Sequence, residues 1–177
     1  MSVRRISNSE VSTYKDCPRR WWLSWHRGLR PKHEPLVGAL AIGSREHEAL
    51  AQVYTPGGLP LTELPTIISN LLEDDRRLLD ERFGATARYP ELKKKFESEA
   101  ELQKIMLEGY VEWVQETGAD AGYEVIGAEE VVEAPFYDSW LFKTVVHLIG
   151  RLDVRLRRLS DGRIVFIDHK TVGSFIK

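Results

Sequence analysis

Residues 147–171 read HLIGRLDVRLRRLSDGRIVFIDHKT, and this stretch decides the fold expected for the chain. Within residues 148–157, apolar or small residues alternate almost strictly with charged ones, which predicts a half-buried β-strand. Asp161-Gly162 predicts a two-residue hairpin turn, because glycine tolerates the positive φ that such a turn requires. The apolar run 164–167 then predicts a second strand that is buried on both faces.

The expected turn determines which residues of the two strands face each other. Pairing about Asp161-Gly162 places Asp153 opposite Lys170 and diagonal to Asp168. Diagonal neighbours are roughly 7–8 Å apart at the backbone, so these two carboxylates are close enough to hold one ion. A longer loop would shift this register. The alternative is a surface ion cluster on an edge strand, but the apolar run before Asp168 favours a metal site at the rim of a sheet.

These residues resemble a known family of enzymes. Gly150-Arg-Leu-Asp153, followed after a turn by Ile-Asp168-His-Lys170-Thr, is similar to motifs II and III of the PD-(D/E)XK nuclease superfamily. The closest similarity is to its RecB-like branch, which includes CRISPR-associated and phage exonucleases. The resemblance implies an α+β, restriction-endonuclease-like core, with N-terminal helices packed on a small mixed β-sheet.

The same resemblance implies roles for the acidic and basic residues. Asp153 and Asp168 would hold Mg²⁺ or Mn²⁺, which lowers the pKa of a bound water and neutralises charge developing on a phosphodiester. Lys170 would orient or help deprotonate the nucleophile, and the backbone carbonyl of His169 would complete the coordination. Glu129 falls where the family places a glutamate on its first core strand and is a further candidate ligand. Glu130 should face the opposite way, so one of the two glutamates is expected to be exposed.

His47 is a candidate third metal ligand. Gly43, His47, Leu50 and Ala51 lie at i, i+4, i+7 and i+8, which places His47 on the packing face of a helix opening at Gly43. A single histidine on an apolar helix face is more often a satisfied core residue. The segment is similar to the family's G-x-x-x-H element, however, which implies that His47 points at the metal. An imidazole ligand would favour Mn²⁺ over Mg²⁺.

The N-terminal segment, from Ser7 to Trp21, is also similar to the family's signature. Ser7-Asn-Ser-Glu10 predicts a capping box for a short helix with Val11 and Tyr14 inward, and Pro18 suits the first position of a second helix. In iron–sulfur members of the family, the cysteine at the position that corresponds to Cys17 is a cluster ligand. Because the chain has one cysteine, no iron–sulfur cluster is expected, and Cys17 is expected to be a small buried residue.

Cations and tryptophans are interleaved in residues 19–32, a pattern that suits neutralising phosphates while stacking on bases. The alternative is that the tryptophans are core residues of an amphipathic helix, which is expected for at least two of Trp21, Trp22 and Trp25. DNA contacts are predicted for Arg19, Arg20, Arg27, Arg30 and Lys32.

Composition limits the class of protein. The chain has 177 residues and a net charge of −2, so it lacks a global basic field, although a nuclease needs only a local basic patch. The lone cysteine excludes a disulfide framework and favours a reducing compartment. No apolar run of about 18 residues and no signal-peptide core are found, so no membrane association and a cytoplasmic location are expected.

A single domain, 1–177, is expected. Residues 1–120 are predicted to be mainly helical, with long helices over 64–83 and 92–117, and residues 121–177 are predicted to form the sheet with the active-site hairpin. On the second long helix, the inward residues are predicted to be Phe96, Leu102, Ile105, Met106, Tyr110 and Trp113. The family's later helix with its Q-x-x-x-Y motif is not found after Lys170, so the fold is expected to be truncated after motif III.

Two functions remain open from the sequence. The first is a metal-dependent DNA exonuclease that acts on DNA ends or single strands in phage or bacterial recombination, repair or processing. A recombination or phage-replication protein would be a further partner. The second is a catalytically weak or inactive DNA-binding module that keeps the nuclease fold.

Overall fold

The computed structural model describes residues 2–139 and 144–170. Its elements, in chain order, are β1 (Ser2–Ser7), α1 (Asn8–Asp16), α2 (Pro18–Trp21), a π-helical turn (Trp22–His26), α3 (Ala39–Val53), a 3-10 turn (Leu61–Glu63), α4 (Leu64–Phe83), α5 (Tyr89–Thr117), β2 (Tyr123–Ser139), β3 (Thr144–Arg158) and β4 (Ile164–Ile167). Helices and strands occupy largely separate parts of the chain, which confirms the expected α+β class. Every helix of the described residues is too short or too polar to cross a bilayer.

The described chain forms two compact units. Unit 1 comprises Met1–His33 with Glu129–Leu152, and unit 2 comprises Glu34–Ala128 with Asp153–Lys177. The long strands β2 and β3 each have residues in both units. The single domain expected from the sequence stays a prediction.

The sheet is mixed, with strand order β1-β3-β2 and β4 also paired to β3. In unit 1, β1 runs parallel to the first part of β3, from Ser2 opposite Thr144 to Ser7 opposite Ile149. In unit 2, β4 runs antiparallel to the last part of β3. The sequence did not predict β1, because its apolar residues are interrupted by Arg4-Arg5 and its pairing partner is distant in the chain.

The predicted start of the first helix is confirmed in part. The Ser7 side chain caps α1 by accepting from the N–H of Glu10, at 3.1 Å. Glu10 is buried, and its carboxylate accepts from the Trp21 indole at 2.9 Å and from Arg4 at 2.8 Å. The prediction that Tyr14 points inward is wrong, since its side chain is exposed.

The prediction that Cys17 is buried is also wrong. Cys17 is exposed, and its sulfur accepts from the N–H of Arg20 at 3.4 Å, which caps the short helix α2. Pro18 occupies the first turn of α2, as predicted. The Cys17 sulfur thus serves as the N-cap acceptor of α2 rather than as a core side chain.

The helices of unit 2 follow the sequence prediction closely. α3 begins at Ala39, four residues before the expected Gly43 start. α4 has the predicted bounds, and α5 begins three residues earlier than expected with Pro90 in its first turn. Gly118 ends α5 in the left-handed conformation, at φ 61°, which glycine adopts without a Cβ penalty.

The inward face of α5 differs from the prediction. Phe96 is fully buried as expected, and Met106 and Tyr110 are half-buried. Three residues that were expected to face inward are exposed: Leu102, Ile105 and Trp113. The buried stripe instead consists of Phe96, Ala100, Gln103, Leu107, Val111 and Val114. The error arose because α5 carries two apolar stripes, and the pattern alone does not tell which one meets α3 and α4.

The last strand is half-buried rather than buried on both faces. Along β4 the side chains alternate, with Val165 and Ile167 facing the core and Ile164 and Phe166 exposed. Phe166 is 57% exposed. The continuous apolar run was therefore misinterpreted, since one face of β4 is not covered by the described residues.

Candidate metal centre

The hairpin between β3 and β4 sets the position of the acidic residues. Val154 pairs with Ile167 and Arg157 pairs with Ile164. The predicted register was wrong by two residues, because the loop is longer than a two-residue turn. The N–H of Arg158 donates to the carbonyl of Arg163 at 2.8 Å, which leaves the four residues 159–162 as the loop. Gly162 supplies the positive φ, 73°, near the end of that loop.

The corrected register improves the geometry of the candidate site. Val154 lies opposite Ile167, and continuing this register by one residue past the end of β4 would set Asp153 opposite Asp168 instead of diagonal to it. Directly opposite residues in an antiparallel pair have Cβ atoms only about 4.5–5.5 Å apart. The two carboxylates predicted from the sequence therefore lie closer together than the two-residue turn implied.

The two oxygens of Asp153 have different neighbours. The backbone N–H of His169 donates to Oδ2 at 2.7 Å, whereas Nδ1 of His47 lies 3.5 Å from Oδ1. His47 is half-buried on α3, so this contact joins α3 to the β3–β4 hairpin. Residues 106 positions apart in the chain thus meet at one carboxylate, and the role of His47 as a metal ligand stays a prediction.

Asp168 and Lys170 form an ion pair in the segment that follows β4. Nζ of Lys170 lies 2.6 Å from Oδ2 of Asp168, and both side chains are exposed. The Lys170 ammonium holds the pKa of the Asp168 carboxyl below its usual range, and Asp168 in turn raises the pKa of Lys170. Asp168 is therefore ionised and Lys170 protonated at neutral pH.

A cavity of about 370 Å³ opens beside these residues. Its wall is built from α3, from α5 and from the segment after β4, and the chemically active residues in it are Glu46, His47, Tyr110, Asp168, His169 and Lys170. Glu46 is buried and was missed by the sequence reasoning. The signal was present, because Glu46 and His47 lie at i+3 and i+4 from Gly43 and so each neighbours Gly43 on the helix surface.

The residues present fit a divalent cation. His47 and Asp153 offer ligand atoms within 4.8 Å of each other, and the ionised Asp168 lies on the same hairpin. Carboxylate oxygens suit Mg²⁺ and Mn²⁺, and an imidazole nitrogen adds a softer ligand. The donor set is thus one that a hard or borderline divalent ion accepts.

Glu129 lies in unit 1. It adopts a positive φ of 50° within β2, which is uncommon for a residue other than glycine and interrupts the strand's alternation. As a result Glu129 and Glu130 are both half-buried, so the expectation that one is exposed is wrong. Arg151 of β3 donates to Glu129 at 3.2 Å. Its role as a ligand stays a prediction.

The basic N-terminal segment is also in unit 1. Arg27 lies over the ring of Trp22 at 5.2 Å, and Arg30 lies over the ring of Trp25 at 4.5 Å. Trp22 is 43% exposed, and none of the three tryptophans of this segment is fully buried, so the expectation that two are core residues is wrong. All five predicted DNA-contacting cations are exposed: Arg19, Arg20, Arg27, Arg30 and Lys32.

Comparison with known proteins gives a family match for the chain. The family model of the PD-(D/E)XK nuclease superfamily matches residues 5–175 of the chain. No curated protein sequence matches the chain.

Proposed function

Because the chain belongs to the PD-(D/E)XK nuclease superfamily, we propose that it is a divalent-metal-dependent DNA exonuclease of the RecB-like branch. The observation that carries the proposal lies within unit 2. There His47 contacts Asp153, and Asp168 contacts Lys170. His47, Asp168 and Lys170 line the same open cavity. The match to the family model spans every element on which the resemblance rests: the N-terminal segment from Ser7 to Trp21, the histidine helix and the D…D-x-K hairpin.

Each residue has a distinct task in this proposal. Asp153, Asp168 and His47 would hold Mg²⁺ or Mn²⁺, with the carbonyl of His169 as a further ligand and Glu129 as an additional candidate. The ion would lower the pKa of a bound water and offset the charge that develops on the scissile phosphate. Lys170, protonated beside Asp168, orients the attacking water and stabilises the charge that builds during attack.

The basic segment of unit 1 supplies DNA contacts. Its exposed arginines neutralise phosphates, and Trp22 and Trp25 offer ring faces already paired with guanidinium groups. Base stacking on such rings is tolerant of sequence, which suits an enzyme that degrades strands without reading them. The biological setting that we propose is phage or bacterial DNA recombination, repair or processing.

The decisive experiment measures hydrolysis of end-labelled DNA with Mg²⁺ and with Mn²⁺. The wild type should cleave, Asp168→Asn should not, and Asp74→Asn should match the wild type. Asp74 is an exposed aspartate that pairs with Arg77 on the same helix, α4, so it controls for the loss of one surface carboxylate. Equal cleavage by the wild type and Asp168→Asn would contradict the proposal.

The exonuclease assignment is tested on substrates without ends. Linear single-stranded and duplex DNA should be degraded to short products, whereas circular single strands and closed plasmid should survive. Cleavage of the circular substrates would show that the activity is that of an endonuclease rather than an exonuclease. DNA binding that weakens with salt, without metal-dependent turnover, would favour the inactive DNA-binding module instead.

A further inference from the structure

Two tyrosines and an aspartate form a hydrogen-bonded group beside the segment that follows β4. The hydroxyl of Tyr54 lies 2.6 Å from that of Tyr110 and donates to the carboxylate of Asp120. Tyr54 is only 3% exposed and is the C-cap residue of α3, seven positions after His47. Tyr110 belongs to α5, and Asp120 lies in the turn just after that helix. The group, which we name the tyrosine pair with Asp120, therefore joins α3 to α5.

The direction of the hydrogen bonds follows from the chemistry. The Tyr54 hydroxyl has a single proton, which it donates to Asp120, so Tyr110 donates to Tyr54. Burial raises the pKa of both phenols, which keeps both hydroxyls protonated over the working pH range. The group is thus a fixed chain of donors that ends on a carboxylate.

The imidazole of His169 packs against this group. Its ring centroid lies 5.6 Å from that of Tyr54 and 6.1 Å from that of Tyr110, the second contact being edge-to-face. Such aromatic contacts fix both position and orientation. Because the backbone N–H of His169 donates to Asp153, the placement of the ring also sets where the Asp153 carboxylate is held.

We propose that Tyr54 and Tyr110 are positioning residues of the metal centre. They hold the His169 ring, and through it the hydrogen bond from the His169 backbone to Asp153, in the geometry that binds the ion. This inference rests on the proposed function and extends it to residues that neither touch the metal nor belong to the D…D-x-K hairpin. Removing a group that orients a metal ligand without touching the metal typically lowers metal affinity by about 10–100-fold.

The first test measures amide hydrogen exchange of His169 in the metal-free protein. Tyr54→Phe and Tyr110→Phe each remove one hydroxyl and keep the ring, and each should raise the His169 exchange rate roughly ten-fold, as expected when a local opening becomes easier. The matched control is Tyr89→Phe, which removes a tyrosine hydroxyl that donates to Asp80 elsewhere in unit 2. The amide of Ile68, in the fully buried core of α4, serves as an internal reference.

The second test measures Mn²⁺ affinity by calorimetry. Tyr54→Phe should weaken binding by about 10–100-fold, and Tyr89→Phe should leave it unchanged. An unchanged His169 exchange rate in both tyrosine variants would overturn the proposal. Equal acceleration at His169 and Ile68 would overturn it too, because it would show a global loss of stability. The exchange measurement needs neither metal nor DNA, so it stays informative even if the wild type does not cleave DNA.

Discussion

Lys170 is expected to contribute to the rate of DNA hydrolysis but little to the affinity for DNA. Its ammonium contacts Asp168 but is exposed, so its removal should cost little stability. We predict that Lys170→Ala lowers kcat by about 10²–10³-fold, the usual range for losing one donor that stabilises developing charge, and leaves the affinity for DNA nearly unchanged. Single-turnover hydrolysis and DNA-binding titrations measure the two effects.

The control for this prediction is Lys93→Ala. Lys93 is an exposed lysine on α5 that donates to the hydroxyl of Tyr89, and it does not line the cavity. It should retain wild-type hydrolysis. If Lys170→Ala also retains full kcat, Lys170 has no part in the reaction.

At the scale of elements, α4 and α5 are joined by an ion pair with two parallel hydrogen bonds. Arg76 donates to the carboxylate of Glu97 through Nε at 2.9 Å and Nη2 at 3.0 Å. These bonds hold the pKa of Glu97 below its ordinary value. Since the carboxylate is partly exposed, solvent screening limits the contribution to about 0.5–1 kcal/mol. We predict that Glu97→Gln lowers the free energy of unfolding by that amount at pH 7.

The pH dependence of this difference has a definite sign. A carboxyl whose pKa is lower in the folded state stabilises the protein above its unfolded pKa, roughly 4.3 for glutamate. That stability is lost as the pH falls through the folded pKa. The gap between wild type and Glu97→Gln should therefore close below about pH 4, as measured by urea unfolding. Asp74→Asn, which affects only an exposed pair within α4, should show no measurable gap at either pH.

The two apolar stripes of α5 are expected to contribute differently to the free energy of unfolding. Leu107 packs in the core, whereas Ile105 is 60% exposed. Leu107→Ala should cost about 2–5 kcal/mol of unfolding free energy through lost burial and the remaining cavity. Ile105→Ala should change it by less than about 0.5 kcal/mol. Denaturant unfolding of the two variants checks this, and equal losses would contradict the prediction.

For the whole molecule, burial is distributed unevenly between the two units. Among the described residues, every fully buried apolar side chain lies in unit 2, while the only fully buried side chain of unit 1 is that of Glu10. Regions with few buried apolar contacts open at lower free energy than the global unfolding. We predict that amides of α1 exchange through a partial opening at least about ten-fold faster than those of α4, a difference of about 1.4 kcal/mol.

Native-state hydrogen exchange in increasing denaturant measures this prediction. Amides of α4 should exchange only through global unfolding, with a strong dependence on denaturant, and those of α1 should show a weak dependence. The same rate and the same dependence in α1 and α4 would contradict the prediction and favour the single cooperative domain expected from the sequence.

Local patterns were sufficient for much of the secondary structure. The bounds of α4 and β4 were predicted correctly, because proline, glycine and apolar periodicity mark them within a few residues. The cap at Ser7 and the helix start at Pro18 were predictable for the same reason. The strand β1 was not, since a short segment with two arginines becomes a strand only by pairing with β3.

The candidate metal centre was predictable as a set of residues but not as a geometry. His47, Asp153, Asp168 and Lys170 were identified from motif resemblance, and the structure brings His47 to Asp153 and Lys170 to Asp168. The register between Asp153 and Asp168 was wrong, because the length of the loop depends on hydrogen bonds across the hairpin. Glu46 and the tyrosine pair with Asp120 were missed, since they meet the site only through helix packing.

The sequence by itself determined which chemical groups the chain carries and the order in which its motifs occur. Periodicity, capping and turn residues act between near neighbours, so they can be read along the chain. The tertiary structure alone decided which stripe of α5 is buried and which tyrosines lie behind His169. Those outcomes depend on contacts between residues far apart in sequence, whose energies are set by the shape of the partner surface rather than by local pattern.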